Sequence, residues 1–258
     1  MAAERAVRGV GLGYRLIGPS WQSGLPPVVL VHGANRRIGP LRAMFAPLAE
    51  WLGVPLLFPQ FVRPAFASYQ RLGGAHARLA AADALDALLC EIGWRDRPID
   101  LVGFSGGAQF AHRYALISST PIRRSVIAAA GWYTMLDVAV AFPFGVGDAP
   151  ALQGRHVDVN RLLRLPLRIM VGEHDVATDS QLRTGTDVDR QGPNRLERAR
   201  CWHQHLQAEA TNQGLACRAS FESLPGTGHD IRQAAAEGGY VQRVAAFLGA
   251  HHPATDGA

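Results

Sequence analysis

Three side chains of this sequence have the types and surroundings needed for covalent catalysis: a serine, a carboxylate and a histidine, each in a glycine-marked turn. Ser105 sits in Gly103-Phe104-Ser105-Gly106-Gly107, between an apolar run and a helical pattern. This is a G-x-S-x-G motif. The turn it makes is so tight that side chains two residues either side of the serine would collide, which is why glycine is needed at 103 and 107. The serine oxygen is then presented at a helix N-terminus. A hydroxyl is a weak nucleophile at neutral pH and needs a base, and the base needs an orienting acid. His229, in Pro225-Gly226-Thr227-Gly228-His229-Asp230, is the candidate base, and Asp175, in Val171-Gly172-Glu173-His174-Asp175, the candidate acid. Serine, acid, histidine is also the chain order that accompanies this motif.

Each partner has competitors. Glu173 and Asp179 compete for the acid, and Asp230 adjoins the histidine. A position a few residues past a strand favours Asp175. His174 is the near rival for the base, but it precedes the last strand. His203 and His205 fall inside a helical pattern, two apart and facing differently, so they suit neither the base nor a shared metal. His251 and His252 lie in the C-terminal tail, and His112 reads as packing behind the nucleophile. An oxyanion needs two N–H donors. Gly106, after the nucleophile, supplies one, and Ala34, in His32-Gly33-Ala34-Asn35, is the candidate for the other.

The elements that must position these groups alternate short apolar runs with helical patterns, the signature of a mostly parallel sheet with crossover helices. Residues 5–18 read as two short strands joined near Gly11, forming an antiparallel edge. Further strands are expected at 28–31, 54–58, 99–104, 123–130, 166–171 and 217–224. Helices are expected at 40–52, 74–92, 106–118, 194–213 and 234–249, and the last nine residues read as a frayed tail. Residues 132–165 break the alternation. Their aromatics Trp132, Tyr133, Phe142 and Phe144 are candidates for an apolar substrate pocket, and the segment itself for a cap over a single 1–258 domain.

Composition excludes several functions. The net charge of +5 comes from arginine alone, since the sequence holds no lysine, and the arginines are scattered. That is not the basic stripe of a nucleic-acid binder. A phosphate-binding loop ending in Gly-Lys is impossible without lysine, and Gly9-Val10-Gly11-Leu12-Gly13 does not open a helix as a dinucleotide loop must. Arg36 and Arg37, beside the Gly33 loop, are candidates for meeting an acidic substrate, though solvation is the commoner fate of such residues. Three cysteines without close pairing argue against a disulfide framework, and Cys90 is expected to be buried as a small apolar residue. No apolar run is long enough for a membrane span, and charges at Glu4, Arg5, Arg8 and Arg15 interrupt the first twenty residues, so the default expectation is a cytoplasmic protein.

With these segments in place, the chain resembles the α/β-hydrolase superfamily. The matching stretches are Val28-Val29-Leu30-Val31-His32-Gly33, Gly103 to Gly107, Gly172 to Asp175 and Gly228-His229, spanning about residues 13 to 249. More weakly, Gly103 to Tyr114 and Asn194-Arg195-Leu196-Glu197-Arg198 resemble bacterial esterases similar to polyhydroxybutyrate depolymerases. The resemblance implies an α/β-hydrolase fold of about eight strands and hydrolysis of a carboxylic ester or thioester, without metal or organic cofactor. Carbon–carbon hydrolase, acyltransferase and lyase chemistry also occur on such a serine, and a non-catalytic ligand-binding relative is the alternative from another class.

Overall fold

A computed structural model describes residues 5–6, 11–21, 24–73, 80–147, 152, 154–180 and 182–250. Eight strands form one sheet: β1 (Arg5–Ala6), β2 (Gly13–Ile17), β3 (Val28–Val31), β4 (Leu56–Gln60), β5 (Ile99–Phe104), β6 (Ile122–Ala128), β7 (Leu167–Gly172) and β8 (Ala219–Leu224). Seven remain if the two-residue β1 is set aside. Their spatial order is β1-β2-β4-β3-β5-β6-β7-β8. β1 and β2 pair antiparallel, β2 runs antiparallel to β4, and every pairing from β4 through β8 is parallel.

Period-two alternation explains why the central strands read as unbroken apolar runs. Val29 and Val31 of β3 face one core, while Val28 and Leu30 face the other. On β5, Leu101 takes the first side and Val102 and Phe104 the second. A strand buried on both faces has no polar side to show. Helices α2 (Ala80–Glu91), α3 (Gly106–Ile117) and α6 (Arg195–Asn212) cover the first face, through Leu85, Phe110 and Trp202 among others. Helices α1 (Ile38–Leu52) and α8 (Tyr240–Gly249) cover the second, through Phe45, Tyr240 and Val244. Short helices α4 (Val159–Arg164), α5 (Thr186–Asp189) and α7 (Ile231–Ala236), with a 3-10 turn at Tyr69–Arg71, complete the set among the described residues.

Some expectations shift. The strand expected at 54–58 begins two residues later, because Val54 still belongs to the helix-ending turn and donates its N–H to Ala49. The helix expected over 234–249 is two helices. Gly239 adopts a positive φ of 64° and starts α8 in a new direction, so the apolar periodicity on either side spans a break. Cys90 is exposed, not buried: Leu85, Leu88 and Leu89 take the inward stripe of α2 and leave the next position on the outer side. Residues 74–79, the expected start of that helix, and residues 251–258 of the tail lie outside the described residues. No helix among the described residues is long and apolar enough to cross a membrane.

The chain order reverses between β3 and β5, since β4 lies on one side of β3 and β5 on the other. Such a switch point opens a crevice at the carboxyl ends of the strands. The loops after β3 and β5, which carry Ala34 and Ser105, flank it.

Candidate active site

Ser105 occupies the turn from β5 into α3 with φ 54° and ψ −115°, a region that a side-chain-bearing residue enters only under constraint. The constraint is visible on both sides. A Cβ on Gly103 would overlap the backbone of Gly107, and one on Gly107 would overlap the carbonyl of Val31. The Ser105 N–H is anchored by the Ala128 carbonyl of β6 at 2.8 Å. The start of α3 is thereby packed too closely on β5 and β3 for any residue but glycine at 103 and 107.

The three candidate catalytic side chains come together from loops after three strands. Ser105 Oγ lies 3.0 Å from His229 Nε2, and His229 Nδ1 lies 2.7 Å from Asp175 Oδ2. Asp175 is 1% exposed, whereas the imidazole retains 21%. The close approach of the acid and base loops again requires glycine: a Cβ on Gly172 would overlap the carbonyl of Thr227. Backbone bonds fasten the same junction, with Glu173 N–H donating to Leu224 O at 3.0 Å and His174 N–H to Thr227 O at 2.8 Å. The Phe104 ring lies 5.6 Å from the imidazole and supports it from the sheet side.

The rival residues are engaged elsewhere. Glu173 accepts from Gly226 N–H, Asp179 pairs with Arg195, and Asp230 caps α7 through Arg232 N–H at 2.7 Å. His112 is fully buried between the Ala108 carbonyl and the Thr134 N–H, and burial holds its imidazole neutral, well below the ordinary histidine range. His205 accepts the Leu136 N–H at 2.8 Å, a structural bond.

Gly106 opens α3, where N–H groups lack partners within the helix. A Cβ built on Gly106 would stand 3.0 Å from Ala34 N and 2.6 Å from the Tyr69 hydroxyl. The two candidate oxyanion donors therefore flank one small space beside Ser105. The Ala34 loop is braced from behind. His32 Nε2 accepts from Phe61 N–H at 3.0 Å, so its Nδ1 carries the proton and donates to Gly33 O at 2.8 Å. Burial is the main cause that lowers the His32 pKa to about 4, which keeps that acceptor available. The Tyr69 hydroxyl donates to His32 O at 2.9 Å. Arg36 donates to the carbonyls of Phe61, Phe66 and Ala67 and lies over the Tyr69 ring. It is tied to backbone instead of facing a substrate.

A cleft of about 510 Å³ opens over this centre. One part of its wall is apolar, from Pro40, Leu41, Met44, Phe104 and Ile231. Asn35, Gln70 and Gln109 contribute amides, and Arg37, Arg195 and Arg232 cationic groups. The aromatics suggested for the pocket lie elsewhere. Trp132 stacks on Phe144 at 4.8 Å and carries the Arg113 guanidinium on its face; Tyr133 stacks on Trp202 at 4.6 Å. Phe142 is a half-buried residue packed against the same core. None of the four lines the cleft around Ser105. Among the described residues no group of three or more His, Cys, Asp or Glu is placed to hold a metal ion.

No family model matches the chain, and no curated protein is significantly similar to it. Solved structures are similar. LpqC, a poly(3-hydroxybutyrate) depolymerase from Bordetella parapertussis, is 24% identical with a TM-score of 0.73, over 99% of this chain and 93% of that one. Poly(aspartic acid) hydrolase-1 from Sphingomonas sp. KT-1 is 22% identical with a TM-score of 0.78, over 96% and 98%. A Pyrobaculum calidifontis esterase is 15% identical with a TM-score of 0.59, over 96% and 84%. At these identities the likeness is one of fold: the chain has the α/β-hydrolase fold that its motifs resemble.

Proposed function

We propose that this protein is a serine hydrolase that cleaves a carboxylic ester or thioester through an acyl-enzyme on Ser105. The observation that carries the proposal is the continuous hydrogen-bonded path Ser105–His229–Asp175, with links of 3.0 and 2.7 Å, opening onto a cleft. The esterases and depolymerases among proteins of the same fold support it. In the first half-reaction His229 Nε2 takes the serine proton while Oγ attacks the acyl carbonyl. Asp175 holds Nδ1–H and balances the imidazolium. The N–H groups of Gly106 and Ala34 receive the developing oxyanion, and His229 returns the proton to the departing alcohol or thiol. In the second half the same imidazole activates water, which releases the acid and frees Ser105. A cleft of about 510 Å³ with an apolar wall suits a small-molecule ester.

The test is labelling with a fluorophosphonate, which phosphonylates a serine activated in this way. The parent is expected to label and Ser105→Ala to remain unlabelled, with ester turnover falling in parallel. Labelling that persists in Ser105→Ala removes the nucleophile from this position.

A further inference from the structure

The residues Asn194 to Arg198 lie on no strand end and carry none of the three proposed catalytic groups, yet Arg195 and Leu196 among them meet Asp175 directly. Asn194 caps α6 by accepting Glu197 N–H at 2.9 Å. Leu196 N–H donates to the Asp175 carbonyl at 3.2 Å. Arg198 reaches under the same region to the carbonyls of Gly131, Arg183 and Gly192, each at 2.8 Å. Arg195 then closes the arrangement. Its Nη1 lies 3.5 Å from Asp175 Oδ1 and 2.9 Å from Asp179 Oδ2, and its Nη2 lies 3.0 Å from Asp179 Oδ1.

We infer that Arg195 is a positioning residue for the proposed triad acid: clamped on Asp179, it holds the Asp175 carboxylate turned toward His229. Two facts separate this role from substrate binding. The Arg195 side chain is only 2% exposed although it backs the cleft, and both its terminal nitrogens already face carboxylates. Exposed Arg37, at the cleft rim, has the freedom that Arg195 lacks. The electrostatic need is plain as well. Asp175 is buried, and a carboxylate taken out of water is stabilised by an opposite charge beside it. A guanidinium suits the task because its planar fork can engage Asp179 with two N–H groups and leave one nitrogen aimed at Asp175.

The inference rests on the serine-hydrolase reading, and the experiment keeps the two apart by first confirming that turnover of a nitrophenyl ester by the parent depends on Ser105. Steady-state kinetics of Arg195→Met and Arg195→Lys are then compared at a temperature where each variant is folded. Arg195→Met is expected to lower kcat about thirtyfold, with KM within about twofold. Arg195→Lys, which restores a charge but not the fork, is expected to recover most of that loss. Rates are taken per active site, counted by fluorophosphonate titration, so that a loss of folded protein does not register as a loss of kcat. A rise in KM at constant kcat would place Arg195 on the substrate and overturn the inference, as would parent-like kcat in Arg195→Met. Should Arg195→Met fail to fold, Asp179→Asn decides. It frees the anchored end of the clamp and is expected to lower kcat about threefold at constant KM; parent-like kcat would overturn the inference. If the parent shows no Ser105-dependent turnover, the hydrolase reading fails instead.

Discussion

The loops after β3 and β7 each carry one group of the proposed site, and they differ in how they are braced. Behind Ala34 the bracing comes from neutral hydrogen bonds and from an arginine bound to carbonyls: the His32 imidazole, the Tyr69 hydroxyl and Arg36. Behind Asp175, backbone bonds from Glu173 and His174 and the carbonyl bonds of Arg198 are joined by an ion pair, with Arg195 on two carboxylates. The difference follows from what each loop must hold. An oxyanion donor is a fixed dipole, whose value lies in being aimed before charge develops. A buried carboxylate is a standing charge, which has to be offset continuously. One loop needs geometry, and the other needs a counter-charge.

The largest effect is expected from replacing the Asp175 carboxylate. Asp175→Asn keeps the shape but loses the anion that orients Nδ1–H of His229, and turnover is expected to fall on the order of ten-thousandfold, as at other serine triads. Glu173→Gln, which alters a carboxylate bonded to Gly226 on the loop's outer side, is expected to stay within about threefold of the parent. Ester kinetics on the two variants check both. If Glu173→Gln suffers the larger loss, the acid has been misplaced and the charged half of the comparison collapses.

The geometric half is probed by Gly106→Ala. The added methyl would stand 2.6 Å from the Tyr69 hydroxyl and 3.0 Å from Ala34 N, so the tyrosine must shift and the space beside the two proposed donors is crowded. Turnover is expected to fall about a hundredfold, in the range for losing one oxyanion donor, without loss of Ser105, His229 or Asp175. Measured kcat within threefold of the parent would mean that this space is not where charge develops.

The two halves also differed in how far the sequence disclosed them. The elbow was legible at Gly103, whose crowding against Gly107 acts within five residues; Gly107 is crowded by Val31 of β3, a distant contact that the motif records but does not explain. The places of Asp175 and His229 just beyond β7 and β8 were legible, as were β3 and β5 from runs that are apolar on both faces. The bracing was not. Tyr69 meets His32 across 37 positions, and Arg195 meets Asp175 across 20, with no local pattern linking either pair. Arg195 did stand within a stretch that resembles esterases, but its contact depends on the approach of α6 to β7. The aromatic pocket failed for a related reason. Composition shows that Trp132 and Tyr133 seek apolar surroundings, and the structure satisfies them against Arg113, Phe144 and Trp202 beneath the surface. Amino-acid type does not indicate on which side of a loop the partner waits.

Acidification offers the gentlest separation of the two loops. His32 is held neutral in the folded protein, with its pKa lowered to about 4 by burial and, secondarily, by the positive charge of Arg36. In the unfolded chain it titrates near 6.5, so between these values the unfolded state binds the extra proton. The contribution is therefore fully present above about pH 6.5 and is lost as pH falls toward 4, a decline on the order of 3 kcal/mol. His32→Gln retains an acceptor for Phe61 N–H but cannot titrate. Urea unfolding of parent and His32→Gln at intervals from pH 7 to 4 should give stabilities whose difference shrinks steadily as pH drops. Asp100, whose carboxyl burial pushes up to about 6, changes in the opposite sense but equally in both proteins and cancels from the difference. Parallel curves would show that the imidazole gains its proton without cost. The bracing of the oxyanion loop would then lie with Tyr69 and Arg36, and the neutral half of the comparison would rest on them alone.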